Sequence, residues 1–374
     1  MDINQTRKLY PITRQYIYFN HAAVSPLSTR VLAEMNKHLV DCHQNGLLNF
    51  ESWVQRQEEV RELAARLIGA EVEEMAFVRN TSHGLIIVAN GIDWHEGDNI
   101  VTAEGEFTAN VYPWVYLSRL GVETRFAPCR DGRILVDDIF AQIDERTRLL
   151  ALSFVEFGTG FRNDLATIGR MCREKGIYFC VDAIQGLGAL QLNVRDCQID
   201  FLTAGANKWL LGPMGIGIFY CRQELVEQLV PALIGWLSVV HSEDFYRYDS
   251  SLKTDARRFE EATPNVVGIY GLGAALETFL EVGLSEIEEH ILAITDYLIQ
   301  GLKAKGYQVT SPHQSRDERS GIVCFNHPDH ELDRLEQLLT EAKIIISKRG
   351  DIIRVAPHFY NTKDEIDHLL EVLP

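Results

Sequence analysis

The chain has 374 residues, 46% of them hydrophobic and 24% charged. That is enough for one large and one small domain with real cores, and too apolar for a disordered, collagen-like or small disulfide-stapled protein. Setting 36 basic residues against 53 acidic ones leaves a net charge of −17, and with no local basic patch such a surface repels phosphate backbones and anionic lipid headgroups. Nucleic-acid and membrane partners are therefore not expected.

Residues 229–240 form the longest nearly apolar stretch, 12 residues with a proline and a glycine inside, against the ~20 needed to cross a bilayer. The opening residues, MDINQTRKLYP, lack the apolar run of a secretory leader. The seven cysteines, at 42, 129, 172, 180, 197, 221 and 324, are odd in number, have no CxxC spacing and mostly sit in apolar runs. They are expected to be reduced and buried, with no metal site and a cytoplasmic location.

Taken in chain order, short apolar runs at 75–78, 99–103, 149–154, 178–181, 201–204 and 216–220 predict strands, and segments such as 165–175 have the length and 3.6-residue pattern of crossover helices. This alternation predicts an α/β fold with a mainly parallel sheet covered by helices on both faces. A helical stretch over 266–305 follows, then a strand, helix, strand pattern at 321–325, 332–342 and 352–355. The expected division is a segment 1–20, a large domain 21–260 and a smaller α+β domain 261–374.

In open α/β sheets ligands collect at the carboxyl ends of the strands. Four strand ends carry unusual residues. Arg79-Asn80-Thr81-Ser82-His83-Gly84 opens a helix, whose free N–H groups suit either a phosphate or a plain N-cap. Phe107, within Glu106-Phe107-Thr108-Ala109-Asn110, could stack on a planar ring or simply pack. Asp182 ends a wholly apolar strand and needs either a permanent cationic or N–H partner or a capping role. Lys208 is one of ten lysines, but it lies between an apolar strand and the glycine-rich Gly212-Pro213-Met214-Gly215-Ile216-Gly217 turn. A lysine kept out of water there is either structural or a Schiff-base amine. Together these are the parts that an aldehyde-bearing pyridine with a phosphate arm requires.

With these residues in view the chain resembles the fold-type I pyridoxal-phosphate enzymes, and among them the class V aminotransferase group that includes cysteine desulfurases, isopenicillin N epimerase and kynureninase. The likeness runs from Phe19-Asn20-His21-Ala22-Ala23 to Arg354-Val355-Ala356-Pro357-His358-Phe359-Tyr360-Asn361-Thr362. It is carried by Val181-Asp182-x-x-Gln185, Asn207-Lys208-Trp209 and Arg258-Phe259-Glu260-Glu261-Ala262-Thr263-Pro264-Asn265.

By position the resemblance implies Lys208 as the Schiff-base lysine, Asp182 as partner of the pyridinium nitrogen, Gln185 as donor to the ring hydroxyl oxygen and Phe107 as the stacking ring. Thr81 and Ser82 would hold the phosphate from the same subunit, and Thr263 would reach it from the neighbouring subunit of a homodimer. Arg354, and with it Arg349, would grip the carboxylate of an amino-acid substrate, with Asn20 and His21 on the substrate side. Gly205 replaces a serine that commonly binds phosphate in this group, so Thr203 or Asn207 is expected to take that part. Candidates for the side-chain pocket are His21, Trp236, His241, Tyr246 and Glu156. The 348–352 segment is short and has no cysteine where desulfurases carry their nucleophile, and Cys324 lies in an apolar strand pattern. The sequence therefore predicts an aminotransferase-type reaction, with a carbon–sulfur β-lyase or an epimerase as alternatives, and argues against a desulfurase with a cysteine nucleophile. A nicotinamide site is disfavoured because neither Gly271-Leu272-Gly273 nor Gly186-Leu187-Gly188 completes GxGxxG after a strand.

Overall fold

A strand buried on both faces can be apolar along its whole length, and such strands take the middle of a sheet. In the computed structural model, which describes residues 2–374, the strands in chain order are β1 (Ile17–Tyr18), β2 (Met75–Val78), β3 (Asn99–Ala103), β4 (Glu123–Ala127), β5 (Cys129–Arg130), β6 (Arg133–Ile134), β7 (Thr147–Ser153), β8 (Tyr178–Asp182), β9 (Phe201–Gly205), β10 (Gly217–Cys221), β11 (Gln308–Val309), β12 (Val323–Asn326), β13 (Ile344–Ile345), β14 (Ser347–Arg349) and β15 (Ile352–Val355). Seven of them form one sheet in the order β2-β10-β9-β8-β7-β3-β4. β10 runs antiparallel to β2 and β9, and the other pairs are parallel.

The α/β architecture is thus the one that the alternating pattern predicts. β4 escapes prediction because it is an edge strand: Glu123 and Phe126 are exposed, so it has no continuous apolar run.

Register brings three strand ends level. Ser153 of β7 lies opposite Asp182 of β8, and Asp182 lies opposite Thr203 of β9. The helix Thr81–Gly91 starts at Asn80, whose Oδ1 accepts the His83 N–H at 2.9 Å. It rests closely on β9, since a Cβ on Gly84 would stand 2.2 Å from Thr203 Oγ1.

The helical stretch predicted at 266–305 is two helices, Val266–Val282 and Leu284–Ala304, which meet at 83°. Gly283, with φ 100°, makes the break that L side chains resist. The first of the pair packs on Thr29–Asn45 and Phe50–Ile68. No single helix among the described residues is long and apolar enough to cross a membrane. A second, antiparallel sheet has the order β11-β12-β15-β14. β1 pairs in parallel with β13, so Phe19 is buried beside Phe325, Leu339 and Val355. The beginning of the chain is thereby fixed next to Arg354 of β15.

Candidate active site

The level strand ends make the floor. Asp182 is buried, and its carboxylate accepts the Ile184 N–H at 3.0 Å. Burial pushes its pKa up to about 6, against the opposing pull of that N–H and of Lys208. Lys208 follows β9, and its Nζ stands 5.5 Å from the centre of the Phe107 ring. Burial lowers its pKa to about 8; Asp182 opposes this and Arg354 and Arg349 add to it. The lysine backbone is clamped from the N-terminal loop, where Ser25 Oγ donates to the Lys208 carbonyl at 2.6 Å and the Ser25 N–H donates to the Asn207 carbonyl at 2.8 Å.

Phe107 is 45% exposed and meets Phe157 edge-to-face at 5.2 Å. Beside it opens a cleft of about 850 Å³ whose walls include Ser82, Ile86, Tyr112 and Tyr116. Thr81 Oγ1 accepts the Gly205 N–H at 2.9 Å, which ties the start of its helix to β9. A Cβ at Gly205 would meet Asn207 Oδ1 at 3.2 Å and Thr81 Oγ1 at 3.4 Å, so these two polar groups already crowd the place of the missing serine. Thr81, Ser82 and Asn207 thus surround one helix N-terminus, the kind of place that holds a phosphate.

Gln185 is buried, with Oε1 accepting from Trp209 Nε1 at 2.9 Å and Nε2 donating to the Ala22 carbonyl at 3.1 Å. One amide hydrogen is left for another acceptor.

The wall opposite comes from β14, β15 and the loop after β7. Arg354 is 2% exposed, and donates through NH1 to the Phe157 carbonyl at 2.9 Å and through NH2 to Ser347 Oγ at 3.4 Å. Its Nε has no partner and no carboxylate pairs with it among the described residues. Burial lowers its pKa to about 10, so it stays cationic at neutral pH. Asn20 Oδ1 accepts from the same Ser347 Oγ at 2.7 Å, which places it beside Arg354. Arg349 is exposed on β14, near enough to Arg354 and Lys208 to repel both cations.

Two expected residues are placed elsewhere. His21 is fully buried, with Nδ1 2.7 Å from the Ala356 carbonyl and Nε2 2.7 Å from Tyr360 Oη. Burial lowers its pKa to about 4, so it is a neutral tie between the N-terminal loop and the β15 loop, with neither nitrogen free for substrate. Thr203 is buried against Gly84 and donates to the Ile218 carbonyl at 3.2 Å, so its hydroxyl serves sheet packing and not the phosphate cradle. Thr263 is exposed. Of the pocket candidates, Trp236 and Tyr246 are exposed, His241 is half-buried and Glu156 is buried.

The sequence reading missed the part of Glu106. Its carboxylate accepts the Ser153 N–H and Ser153 Oγ, both at 2.6 Å, and its pKa is pushed up to about 7, mainly by burial and also by the charge of Asp182. Its place one residue before Phe107 is the one signal that could have found it.

These residues fit a pyridoxal phosphate group. The buried Asp182 carboxylate has no cation within salt-bridge reach among the described residues, and a protonated ring nitrogen would give it one. Arg354, with its Nε unbonded and no carboxylate paired to it among the described residues, suits a substrate carboxylate, for which guanidinium offers planar two-point contact.

Comparison with known proteins agrees with this geometry. The model of the family described as "Aminotransferase class-V" matches residues 17–369. A probable cysteine desulfurase of Methanothermobacter thermautotrophicus is 29% identical over 403 residues, covering 100% of this chain and 98% of the relative. A cysteine desulfurase of Klebsiella pneumoniae is 32% identical over 342 residues, with 84% and 81% covered. The apo structure of a cysteine desulfurase from Thermococcus onnurineus superposes with a TM-score of 0.91 at 28% identity, over 100% of this chain and 97% of that one.

These likenesses overturn the reaction expected from the sequence, an aminotransferase-type step with desulfuration excluded. The exclusion rested on the cysteine-free 348–352 segment. The composition of one loop does not decide which thiol takes up the sulfur, whereas likeness along the whole chain to proteins named cysteine desulfurases bears on the reaction itself.

Proposed function

The chain belongs to the class V aminotransferase family, and on that premise we propose that it is a pyridoxal-phosphate-dependent cysteine desulfurase, in which the carbon–sulfur bond of cysteine breaks, the sulfur passes to an acceptor thiolate as a persulfide that a thiol reductant releases as sulfide, and the carbon skeleton leaves as alanine. The observation that carries the reading is the triangle of Lys208, Asp182 and Arg354, the last with no carboxylate paired to it among the described residues. The relatives' names supply the choice of reaction.

When bound, pyridoxal phosphate withdraws electrons from the substrate's Cα, which makes the Cα proton acidic and weakens the bond to a β substituent. Lys208 Nζ is the amine that would hold its carbonyl carbon, and Asp182 would hold the proton on its ring nitrogen. Thr81, Ser82, Asn207 and the free N–H groups at the start of Thr81–Gly91 would take the phosphate, and Phe107 would cover the ring. Arg354 binds the substrate carboxylate and Asn20 braces it through Ser347. A free Lys208 Nζ, with its pKa lowered to about 8, would be close enough to neutrality to take the Cα proton and to return it at Cα as alanine forms.

Two further parts of the reading concern setting. In a homodimer, exposed Thr263 reaches the partner's phosphate site. The seven unpaired cysteines favour a reducing compartment such as the cytoplasm.

The test is to incubate the loaded enzyme with L-cysteine and a thiol reductant and to quantify the products. Sulfide and alanine in equal amounts are expected. Pyruvate with ammonia, or a keto acid with the cofactor left in its amine form, would overturn the proposal.

A further inference from the structure

Two polar residues on the loop after β7, Glu156 and Asn163, are each 3% exposed. Asn163 Nδ2 donates to Glu156 Oε1 at 2.7 Å and to the Ser153 carbonyl at 2.9 Å, which uses both amide hydrogens. Reversing the amide would set its carbonyl against two other acceptors, so its orientation is fixed. What remains is a pair of orphans: Glu156 Oε2 and Asn163 Oδ1 are both buried and neither has a partner.

If Glu156 were ionised, two buried acceptors would stay unsatisfied on side chains already joined by one hydrogen bond. A single proton on Oε2 removes both defects by donating to Asn163 Oδ1. The result is a closed ring of two hydrogen bonds between a carboxylic acid and an amide.

The groups facing Glu156 favour that state. Glu106 and Asp182 approach it from the strand ends and Cys129 from β5; each is anionic when ionised, and no cation pairs with Glu156 among the described residues. Glu106 is clasped by two 2.6 Å donors from Ser153 and is the better place for a charge. Burial and then Glu106 push the Glu156 pKa well up.

Glu156 also pegs a loop that touches the site. Its N–H donates to the Phe161 carbonyl and its carbonyl accepts the Gly160 N–H, both at 2.8 Å. The next residue, Phe157, gives its carbonyl to Arg354 and its ring to Phe107.

We propose that Glu156 is kept as a neutral carboxylic acid, ring-paired with the Asn163 amide, and that this pair is a positioning device that aims Phe157 at Arg354 and Phe107. The consequence for substrate binding rests on the proposed role of Arg354. The protonation state does not.

The test compares wild type with Glu156→Gln, whose amide keeps an acceptor and a donor in the same places but has no proton to lose. In the cofactor-free full chain, native wild type holds a proton that the unfolded chain releases above the ordinary glutamate value, so its stability falls as pH rises between those two values. The variant lacks that slope, so Glu156→Gln is expected to melt above wild type, by a margin that widens from pH 5 to pH 8. The infrared band of a protonated carboxyl group, present in wild type, should be lost in the variant. In the loaded enzyme, Glu156→Gln should keep KM for cysteine close to wild type while Glu156→Ala raises it roughly tenfold with a smaller change in kcat, as expected when a buried hydrogen-bond pair is broken. A variant that melts below wild type at every pH, with the wild-type slope intact and the infrared band unchanged, would overturn the proposal. If wild type releases no sulfide from cysteine, the functional reading fails, while the melting and infrared comparison still decides the state of Glu156.

Discussion

The floor of the site and its substrate wall are built by different means. The floor, from Ser153 through Asp182 and Thr203 to Lys208, is set by the register of adjacent parallel strands, so its residues are aligned by backbone ladders that also hold the core. The wall is held by single side-chain bonds between distant parts of the chain: Asn20 to Ser347, His21 to Tyr360, and Arg354 to Phe157. A floor of that kind tolerates strong, unpaired charge because the sheet cannot rearrange to relieve it. The wall positions groups as well as its weakest tie allows. Changes on the floor should therefore remove chemistry with little loss of fold, and changes in the wall should alter affinity and stability together.

The largest effect is expected at Lys208. Lys208→Ala should cut turnover by roughly 10³-fold or more, since it removes both the covalent anchor and the base; steady-state sulfide release measures this. Next is Asp182→Asn, which should lower kcat by about 10²–10³-fold through the loss of a preorganised charge. The same substitution should raise the melting temperature of the cofactor-free protein. A buried acid with its pKa raised to about 6 gives up stability as pH climbs from the ordinary aspartate value to about 6, and asparagine does not. An Asp182→Asn protein that melts lower at pH 8 would remove the contrast between floor and wall.

Arg354→Lys should raise KM by roughly ten- to a hundredfold with a smaller change in kcat, because an ammonium cannot supply two parallel bonds to a carboxylate. The pH profile is a gentler probe. Lys208 must be neutral to take a proton, so the rate of the proton-transfer step should rise with pH and level off above about 8. The smallest effect on chemistry is expected at His21. Replacing it with alanine leaves two buried partners unsatisfied and should cost about 1–3 kcal/mol of stability with kcat nearly unchanged, as read by thermal unfolding beside turnover.

The same contrast explains what could be read from the amino-acid sequence. Lys208, Asp182 and Phe107 stand at the ends of apolar runs, and a local pattern is enough to find them. Thr203 has the same signal but faces Gly84 of the neighbouring helix, a packing relation between residues 119 positions apart that no local pattern records. His21 looked like a binding residue because its partners, Ala356 and Tyr360, lie more than 330 residues away. Ser25 carries no distinguishing pattern, yet it clamps Lys208. The edge strand β4 and the helix break at Gly283 were hidden for related reasons, one by mixed exposure and the other by a single glycine in a long helical pattern. The reaction is not legible in the 348–352 segment, because the absence of a cysteine from one loop does not imply the absence of a chemistry.

The most direct test of the account is to reduce the loaded protein with borohydride, digest it and map the labelled peptide. The account predicts a pyridoxyl group on the Nζ of Lys208 and on no other of the ten lysines. An adduct elsewhere, or none on a protein that has taken up the cofactor, would contradict it.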